Sequence, residues 1–271
     1  MADDPAIRRV VIVCDTGSDI RAAVIQGAEL AVRFQASLYG IFHDDETLRR
    51  LAALPFGRQV SLSATELSED VGDLAAISSA LGAGMRRALE AAAAARGIEW
   101  SFGAVRDLAS STAFATGAGD MLVIEMHGRE FAGAWGPHSQ WRARLGAMSA
   151  SVLIRGRRAM GRGVTVLLPG ASAAQQKVLA AAAALAEDDD AVTILVPQAM
   201  AKDAAAAVAP YFAPKRGRPV RIEPLDDGLP ALRRRVAALR PALVVLEAAS
   251  AGEDDLRALV AETRCDVLLV R

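Results

Sequence analysis

The fold is decided by DMLVIEM at residues 120–126 together with ALVVLEA at residues 242–248. Both stretches are short, continuous apolar runs, and each carries a glutamate near its end, Glu125 or Glu247. Apolar runs of this length without polar alternation are typical of parallel strands that are buried on both faces of a sheet. Because the two stretches lie in opposite halves of the chain, they also predict an internal repeat.

Two further pairs of stretches support the repeat. SVLIR at residues 151–155 resembles VLLVR at 267–271, and RRVVIVC at 8–14 resembles GVTVLL at 163–168. Each half therefore begins and ends with the same kind of strand.

The boundary between the halves is predicted in RGRRAMGRG, residues 155–163, where Gly and Arg replace the apolar pattern. This stretch reads as a solvated linker, and an anion site built from its arginines is the alternative. The predicted domains are residues 1–157 and 158–271, called the first half and the second half below.

Strands and helices alternate throughout the chain, and parallel strands need crossover connections that are usually helices. The sequence therefore predicts an α/β protein made of two tandem, Rossmann-like, doubly wound five-stranded parallel sheets. Strands are expected near 8–14, 37–43, 99–105, 120–126, 151–155, 163–168, 191–196, 219–223, 242–247 and 266–271. Helices are expected near 18–35, 75–96, 107–117, 138–148, 171–187, 199–211, 228–239 and 252–263.

An inserted segment, residues 44–73, has no counterpart in the second half. Leucines at helical spacing between 48 and 54 predict a short helical stretch that ends at Pro55, and residues 61–73 read as a polar loop. Long connections of this kind are commonly lids or partner contacts, and a surface elaboration packed on its own domain is the alternative.

The composition is that of a globular protein, with 52% hydrophobic, 23% charged and 4% aromatic residues. A net charge of −1 does not attract nucleic acid or an anionic membrane, so neither partner is expected. The start MADDPAIRRVVIV resembles neither a signal peptide nor a membrane span, and a cytoplasmic location is expected. Cys14 and Cys265 lie inside apolar runs and are expected to be buried, reduced thiols.

The start of the first half, VVIVCDTGSDIRAAVIQGAELAVRF at residues 10–34, resembles the universal stress protein family. In that family a strand ends in Asp, a small polar turn follows, and a long Ala-rich helix begins. Asp15, Thr16, Gly17 and Ser18 occupy that turn here. DMLVIEMHG, at the fourth strand, and SQWRARLGAMSASVLIR, at the last helix and strand, carry the rest of the resemblance.

The resemblance implies an ATP site over the first two strands, with a G-x-x-G loop, nine further residues and then G-S or G-T around the phosphates. Glycines there allow backbone N–H groups to approach phosphate oxygens. In this sequence Glu125 stands at the first glycine of that pattern, and only Gly128 and Ser139 match it. A carboxylate beside the phosphates disfavours binding.

The cofactor-binding candidates carried over from the resemblance are Asp15 and Thr16 near the ribose, and Gly128, Arg129 and Ser139 near the phosphates. The implied cofactor is either none or weakly bound ATP or ADP in the first half. The alternative is that the turn around Asp15 only reverses the chain and caps a helix.

No nucleotide is expected in the second half. The connection from Glu247 to the last strand is shorter than the one from Glu125, and Pro169 stands near the position of Asp15.

The remaining polar residues form no recognisable catalytic arrangement, so an enzyme is not expected. The three histidines, His43, His127 and His138, lack compact metal-ligand spacing, so isolated loop histidines are favoured over a metal or acid–base cluster. Trp135 and Trp141 bracket the altered loop, as an interaction anchor or as a filling for the space that a nucleotide would occupy.

Three functions are therefore weighed. The first is a non-enzymatic regulatory or interaction protein with a stress-response role, in which VLIR and VLLVR pair so that the halves form a pseudo-dimer with a protein partner or with further copies. The second is an adenine-nucleotide sensor acting through the first half. The third is an enzyme that uses Glu125 or His127 in acid–base chemistry.

Overall fold

The structure is a computed structural model that describes most of both halves. The described residues are 7–16, 18–44, 59–60, 66–67, 71–105, 117–125, 150–155, 161–168, 170, 174–212, 219–225, 229–250, 259 and 265–271.

Most predicted elements are present within one to four residues of their predicted bounds. The strands are β1 (Arg9–Cys14), β2 (Ser37–His43), β3 (Gln59–Val60), β4 (Glu66–Leu67), β5 (Trp100–Val105), β6 (Asp120–Glu125), β7 (Ser151–Arg155), β8 (Val164–Leu167), β9 (Val192–Pro197), β10 (Val220–Leu225), β11 (Leu243–Glu247) and β12 (Asp266–Val270). The α-helices are α1 (Ile20–Phe34), α2 (Val71–Ala94), α3 (Gln175–Leu185), α4 (Ala204–Val208) and α5 (Leu229–Leu239).

Contact density divides the chain into two compact units. The larger unit comprises Met1–Arg9, Arg33–Gln35 and Thr116–Arg271, and the smaller unit comprises Val10–Val32 and Ala36–Ala115. This division follows packing and does not test the domain boundary inferred from the repeat, which stays a prediction.

In the described part of the larger unit, neighbouring strands follow the order β10-β9-β8-β11-β12-β7-β6. The five strands of the second half run parallel to one another. Their order reverses at β8, which pairs with β9 on one side and β11 on the other, as in Rossmann-like sheets. Helix α3 packs on β8, β11 and β12. The predicted α/β class with parallel strands is confirmed.

The last strands of the two halves pair with each other. β7 and β12 are antiparallel, and Leu153, the central residue of β7, lies opposite Leu268, the central residue of β12. Leu153 is 3% exposed and Leu268 is fully buried. The predicted pairing of VLIR with VLLVR is therefore confirmed, and a local two-fold axis passes through the middle of the pair.

The smaller unit contains β1, β2 and β5 as neighbours in that order, with β2 and β5 parallel. Helix α2 packs closely on β2 because Gly40 leaves room for the Leu89 side chain, which an added Cβ would overlap. Gly27 likewise lets α1 approach β1, since a Cβ there would lie 2.7 Å from Ile12. These close approaches fit the Ala-rich, aromatic-poor composition.

Local signals account for the ends of the long helices. Asp19 caps α1, because its Oδ1 accepts a hydrogen bond from the Ala22 N–H at 3.1 Å. Gln35, after α1, and Arg240, after α5, have φ of 52° and 47°, the left-handed conformation that commonly ends a helix.

Some predicted elements differ from the structure. The helix expected over 199–211 is a 3-10 turn at Gln198–Met200 followed by the five-residue α4, and Pro210 cannot continue that helix. Within the expected loop 61–73, β4 pairs antiparallel with β3, and α2 begins at Val71. The helices expected at 107–117 and 138–148 lie almost wholly outside the described residues, and of 252–263 only the helical Leu259 is described.

An ion pair joins Arg9, the first residue of β1, to Asp120, the first residue of β6, inside the larger unit. Arg9 donates two hydrogen bonds to Asp120, from Nε at 3.0 Å and from Nη2 at 2.6 Å. Asp120 is 7% exposed and also accepts from the Gly117 N–H at 2.7 Å.

Replacing Asp120 with Ala is expected to lower the free energy of unfolding by about 2 kcal/mol, because the Gly117 N–H and the Arg9 guanidinium lose their acceptor. The value is below that of a fully buried pair since the Arg9 side chain is 37% exposed. Urea unfolding measures it. Asp203→Ala, which removes an exposed carboxylate that makes no capping hydrogen bond, is the matched control and should change stability by less than about 0.5 kcal/mol.

Candidate functional site

The carboxyl end of β1 carries a turn that is closed by its own polar groups. Ser18 Oγ donates to Asp15 Oδ1 at 2.8 Å and accepts from the Asp15 N–H at 3.0 Å. The Ser18 N–H donates to the Asp15 carbonyl at 3.3 Å. Asp15 is half-buried and Thr16 is exposed. The turn therefore holds one carboxylate oxygen of Asp15 in place before α1 begins.

The carboxyl end of the neighbouring strand β2 carries a second fixed carboxylate. Asp44 follows β2 directly, its N–H donates to the Val105 carbonyl at 2.9 Å, and its Oδ1 accepts from Ser78 Oγ at 2.7 Å. Ser78 lies on α2 and is 4% exposed. His43, the last residue of β2, is half-buried beside it.

Together these residues form a polar rim on the smaller unit, made of Asp15, Thr16, His43 and Asp44. Carboxylates at the ends of adjacent parallel strands are suited to accept hydrogen bonds from ligand hydroxyl groups, and the ends of such strands are where α/β proteins bind ligands. Asp15 and Asp44 supply carboxylate acceptors to the rim, and carboxylate acceptors suit the hydroxyl groups of a sugar or ribose rather than a phosphate.

Asp15 and Thr16 were predicted from the sequence, whereas Asp44 and Ser78 were not. A signal for Asp44 was present, since it follows β2 as Asp15 follows β1. No signal pointed to Ser78, because its partner lies in a different element and only folding brings the two together.

The phosphate side of the predicted site lies mostly outside the described residues. Gly128, Arg129 and Ser139 are not among them, so their assignment stays a prediction. Gly17, His127 and His138 are also outside. Glu125 ends β6 as expected and lies in register with Arg155 of β7.

Arg155 connects the two halves at this end of the sheet. Its Nε lies 3.4 Å from Asp266 Oδ2, at the start of the antiparallel strand β12. The two side chains are 26% and 16% exposed. This ion pair could not be predicted from the sequence, because it depends on the register of β7 against β12.

In the second half the corresponding strand end is followed at once by a short turn. β11 ends at Glu247, residues Ala248–Ser250 form a 3-10 turn, and Ser250 Oγ donates to the Glu247 carbonyl at 2.6 Å. Nearby, Lys177 Nζ in the first turn of α3 donates to the Arg271 carbonyl at 3.3 Å. Partial burial lowers the pKa of the Arg271 guanidinium below its usual value.

Several other site types find no support in the described residues. Among them no three His, Cys, Asp or Glu side chains gather as a metal site would require. No helix in the described part of the chain is both long and apolar enough to cross a membrane. Cys14 and Cys265 are buried thiols, 1% and 0% exposed, and not halves of a disulfide.

Comparison with known proteins identifies the fold. No protein-family model matches the sequence, and no curated protein matches it. Solved structures do match, over nearly the whole chain.

A functionally unknown protein from Pseudomonas aeruginosa PAO1 superposes with a TM-score of 0.55 and 14% identity, covering 98% of this chain and 93% of that one. A protein of P. aeruginosa UCBPP-PA14, provisionally assigned as a universal stress protein, has a TM-score of 0.54 and 14% identity, covering 98% of this chain and 94% of that one. A universal stress protein from Archaeoglobus fulgidus has a TM-score of 0.55 and 10% identity, covering 97% of this chain and 96% of that one. The chain therefore has the fold of universal stress protein structures, extending over both of its halves.

Proposed function

We propose that this chain is a non-enzymatic regulatory or interaction protein of the universal-stress-protein type, acting in a stress response. The two halves form an internal pseudo-dimer, and nucleotide-phosphate chemistry has been reduced in the first half and removed from the second. In this function the chain binds a protein partner or further copies of itself.

The turn after β11 is the observation that carries this proposal. In the family that the sequence resembles, a glycine-rich phosphate loop leaves the fourth strand at this point. Here Glu247 passes into one 3-10 turn that Ser250 closes with its own hydroxyl. Among the described residues after β11, Glu247 is half-buried and Ala248–Ser250 include no glycine, so this short stretch lacks the residue type that lets backbone N–H groups approach a phosphate.

The pairing of β7 with β12 supports the pseudo-dimer. Successive residues of a strand point to opposite faces, and Val152, Leu153 and Ile154 are all buried, so both faces of the junction are covered. The central residues lie opposite each other, which is the register that two equivalent halves adopt around a two-fold axis.

An adenine-nucleotide sensor acting through the first half is the second candidate. The observation in its favour is the rim of Asp15, Thr16, His43 and Asp44, since Asp15 keeps a carboxylate at the end of β1 and Thr16 is exposed beside it. This candidate places weakly bound ATP or ADP in the first half alone.

Titration calorimetry with ATP, ADP and adenosine, each with and without magnesium, decides between the two. The regulatory proposal expects no heat from any of them, and native mass spectrometry of the purified protein should show no bound small molecule. Saturable heat from ATP would overturn that part of the proposal and favour the sensor.

If a nucleotide binds, we expect at most one per chain, with an affinity that depends on Asp15 in the first half and not on Glu247 in the second. Asp15→Asn replaces the charged carboxylate that would accept a hydrogen bond from a ribose hydroxyl, and it should weaken nucleotide binding by about tenfold. Glu247→Gln, the matched change in the second half, should leave the affinity unchanged. Two equivalent sites, or equal losses in both variants, would contradict the asymmetry.

A further inference from the structure

The outer edge of β5 is built differently from the outer edge of β10. The Leu38 N–H donates to the Glu99 carbonyl at 2.8 Å, and the Asp44 N–H donates to the Val105 carbonyl at 2.9 Å. In a parallel pair alternate residues face the partner strand. The backbone groups of Trp100, Phe102 and Ala104 therefore point away from β2, which is the one strand paired with β5 in the described part of the chain.

The strand β10 stands at one end of the strand order, next to β9, and its outer edge is protected against pairing with another strand. The Val192 N–H donates to the Pro219 carbonyl at 2.9 Å, so Val220, Ile222 and Pro224 present their backbone groups outward. Pro224 has no N–H, and proline on an edge strand blocks pairing with another chain. Arg221 and Glu223 add charges to the same strand.

β5 carries neither device. Its sequence, WSFGAV, has no charge and no proline, and the residue that matches Pro224 in strand position is Ala104, which is exposed. The two strands have the same length and the same alternation of exposed and half-buried residues, so the contrast lies in the side chains.

We propose that β5 is a self-association edge, through which two copies of this chain pair antiparallel with Phe102 opposite Phe102. The partner that best matches this edge is β5 of a second copy of the chain. An uncharged strand meets its own copy without like-charge repulsion, and the outward N–H and C=O groups of Trp100, Phe102 and Ala104 all find partners in this register.

The side-chain sizes are complementary in the same register. Trp100 lies opposite Ala104, so the largest side chain of the strand faces a small one. Ser101 lies opposite Gly103, and both are small. Shifting the register by two residues places Trp100 against Phe102 and leaves outward groups unpaired at both ends, so the pairing centred on Phe102 is favoured.

Light scattering on the full chain tests the pairing. The wild-type protein should show twice its 28.4 kDa chain mass, and dilution should return it to a monomer. Ala104→Pro copies the protection of β10, removes an outward N–H in each copy, and should raise the dimer dissociation constant at least about tenfold. Ala104→Ser, which keeps the N–H, is the control and should remain a dimer.

Cysteine cross-linking tests the register independently of stability. Phe102→Cys places two cysteines opposite each other, at a Cα separation of about 5.5 Å that a disulfide accepts, and mild oxidation should give a covalent dimer. Ser101→Cys faces Gly103 of the other copy and should cross-link far less. The native Cys14 and Cys265 are buried and provide the unreactive background.

A wild-type protein that stays monomeric at every concentration would overturn the proposal. So would an Ala104→Pro variant that dimerises like the wild type, or a Ser101→Cys variant that cross-links as well as Phe102→Cys. Circular dichroism of each variant shows that the fold is retained.

Discussion

Replacing Leu268 with Asp is expected to lower the free energy of unfolding by more than about 4 kcal/mol, enough to leave the larger unit unfolded. Leu268 is fully buried and lies opposite Leu153 at the centre of the β7–β12 pair. A carboxylate there has no cation opposite it, since Leu153 is its cross-strand neighbour. The measurement is urea unfolding followed by circular dichroism, supplemented by the yield of soluble protein.

Two companion variants make this result specific. Leu268→Ala leaves a cavity without adding a charge and should cost about 2 to 5 kcal/mol. Ile77→Asp places the same carboxylate on α2, where Ile77 is 47% exposed, and should change stability by less than about 0.5 kcal/mol. A Leu268→Asp protein that unfolds at the wild-type urea concentration would show that the pairing of the two halves does not hold the larger unit together.

Replacing Gly163 with Ala is expected to destabilise the larger unit by about 3 kcal/mol or more. Gly163 has φ of 81°, a conformation that costs an L-residue about 1 to 2 kcal/mol. An added Cβ would also overlap the carbonyl oxygen of Ala191, and backbone cannot move aside as a flexible side chain can. The Gly163 carbonyl meanwhile accepts a hydrogen bond from the Ala242 N–H at 2.9 Å, so movement there disturbs the start of β11 as well.

Gly97→Ala separates the two causes. Gly97 has a similar φ of 63°, but no atom lies within 4 Å of the position that its Cβ would take. Only the backbone strain of the positive φ applies to Gly97→Ala, and the free energy of unfolding is expected to fall by about 1 kcal/mol. Equal losses at the two glycines would contradict the steric explanation for Gly163.

Much of the fold could be predicted because each strand can be recognised from its own short stretch of sequence. Runs such as VTVL in β8 and LVVLE in β11 are buried almost throughout, as unbroken apolar stretches predict. Predictions failed where local pattern was weak. The Ala-rich stretch 199–211 has good helix propensity but forms only the short α4, because helices of this length depend on packing and capping more than on propensity.

The candidate site was predictable only in part. The turn at Asp15 could be identified because a polar Asp directly follows an apolar run, and its closure by Ser18 spans only three residues. The bond between Ser78 and Asp44 joins residues 34 positions apart, and no periodicity encodes it.

By itself the sequence determined the class of this protein, the positions of its strands and the identity of the two strands that join its halves, because unbroken apolar runs and the repeated VLIR and VLLVR stretches are local properties. Only the tertiary structure decided the register of β7 against β12, the ion pair between Arg155 and Asp266, and the difference between the outer edges of β5 and β10. Each of these depends on which backbone groups face one another, and that is settled when distant segments pack together.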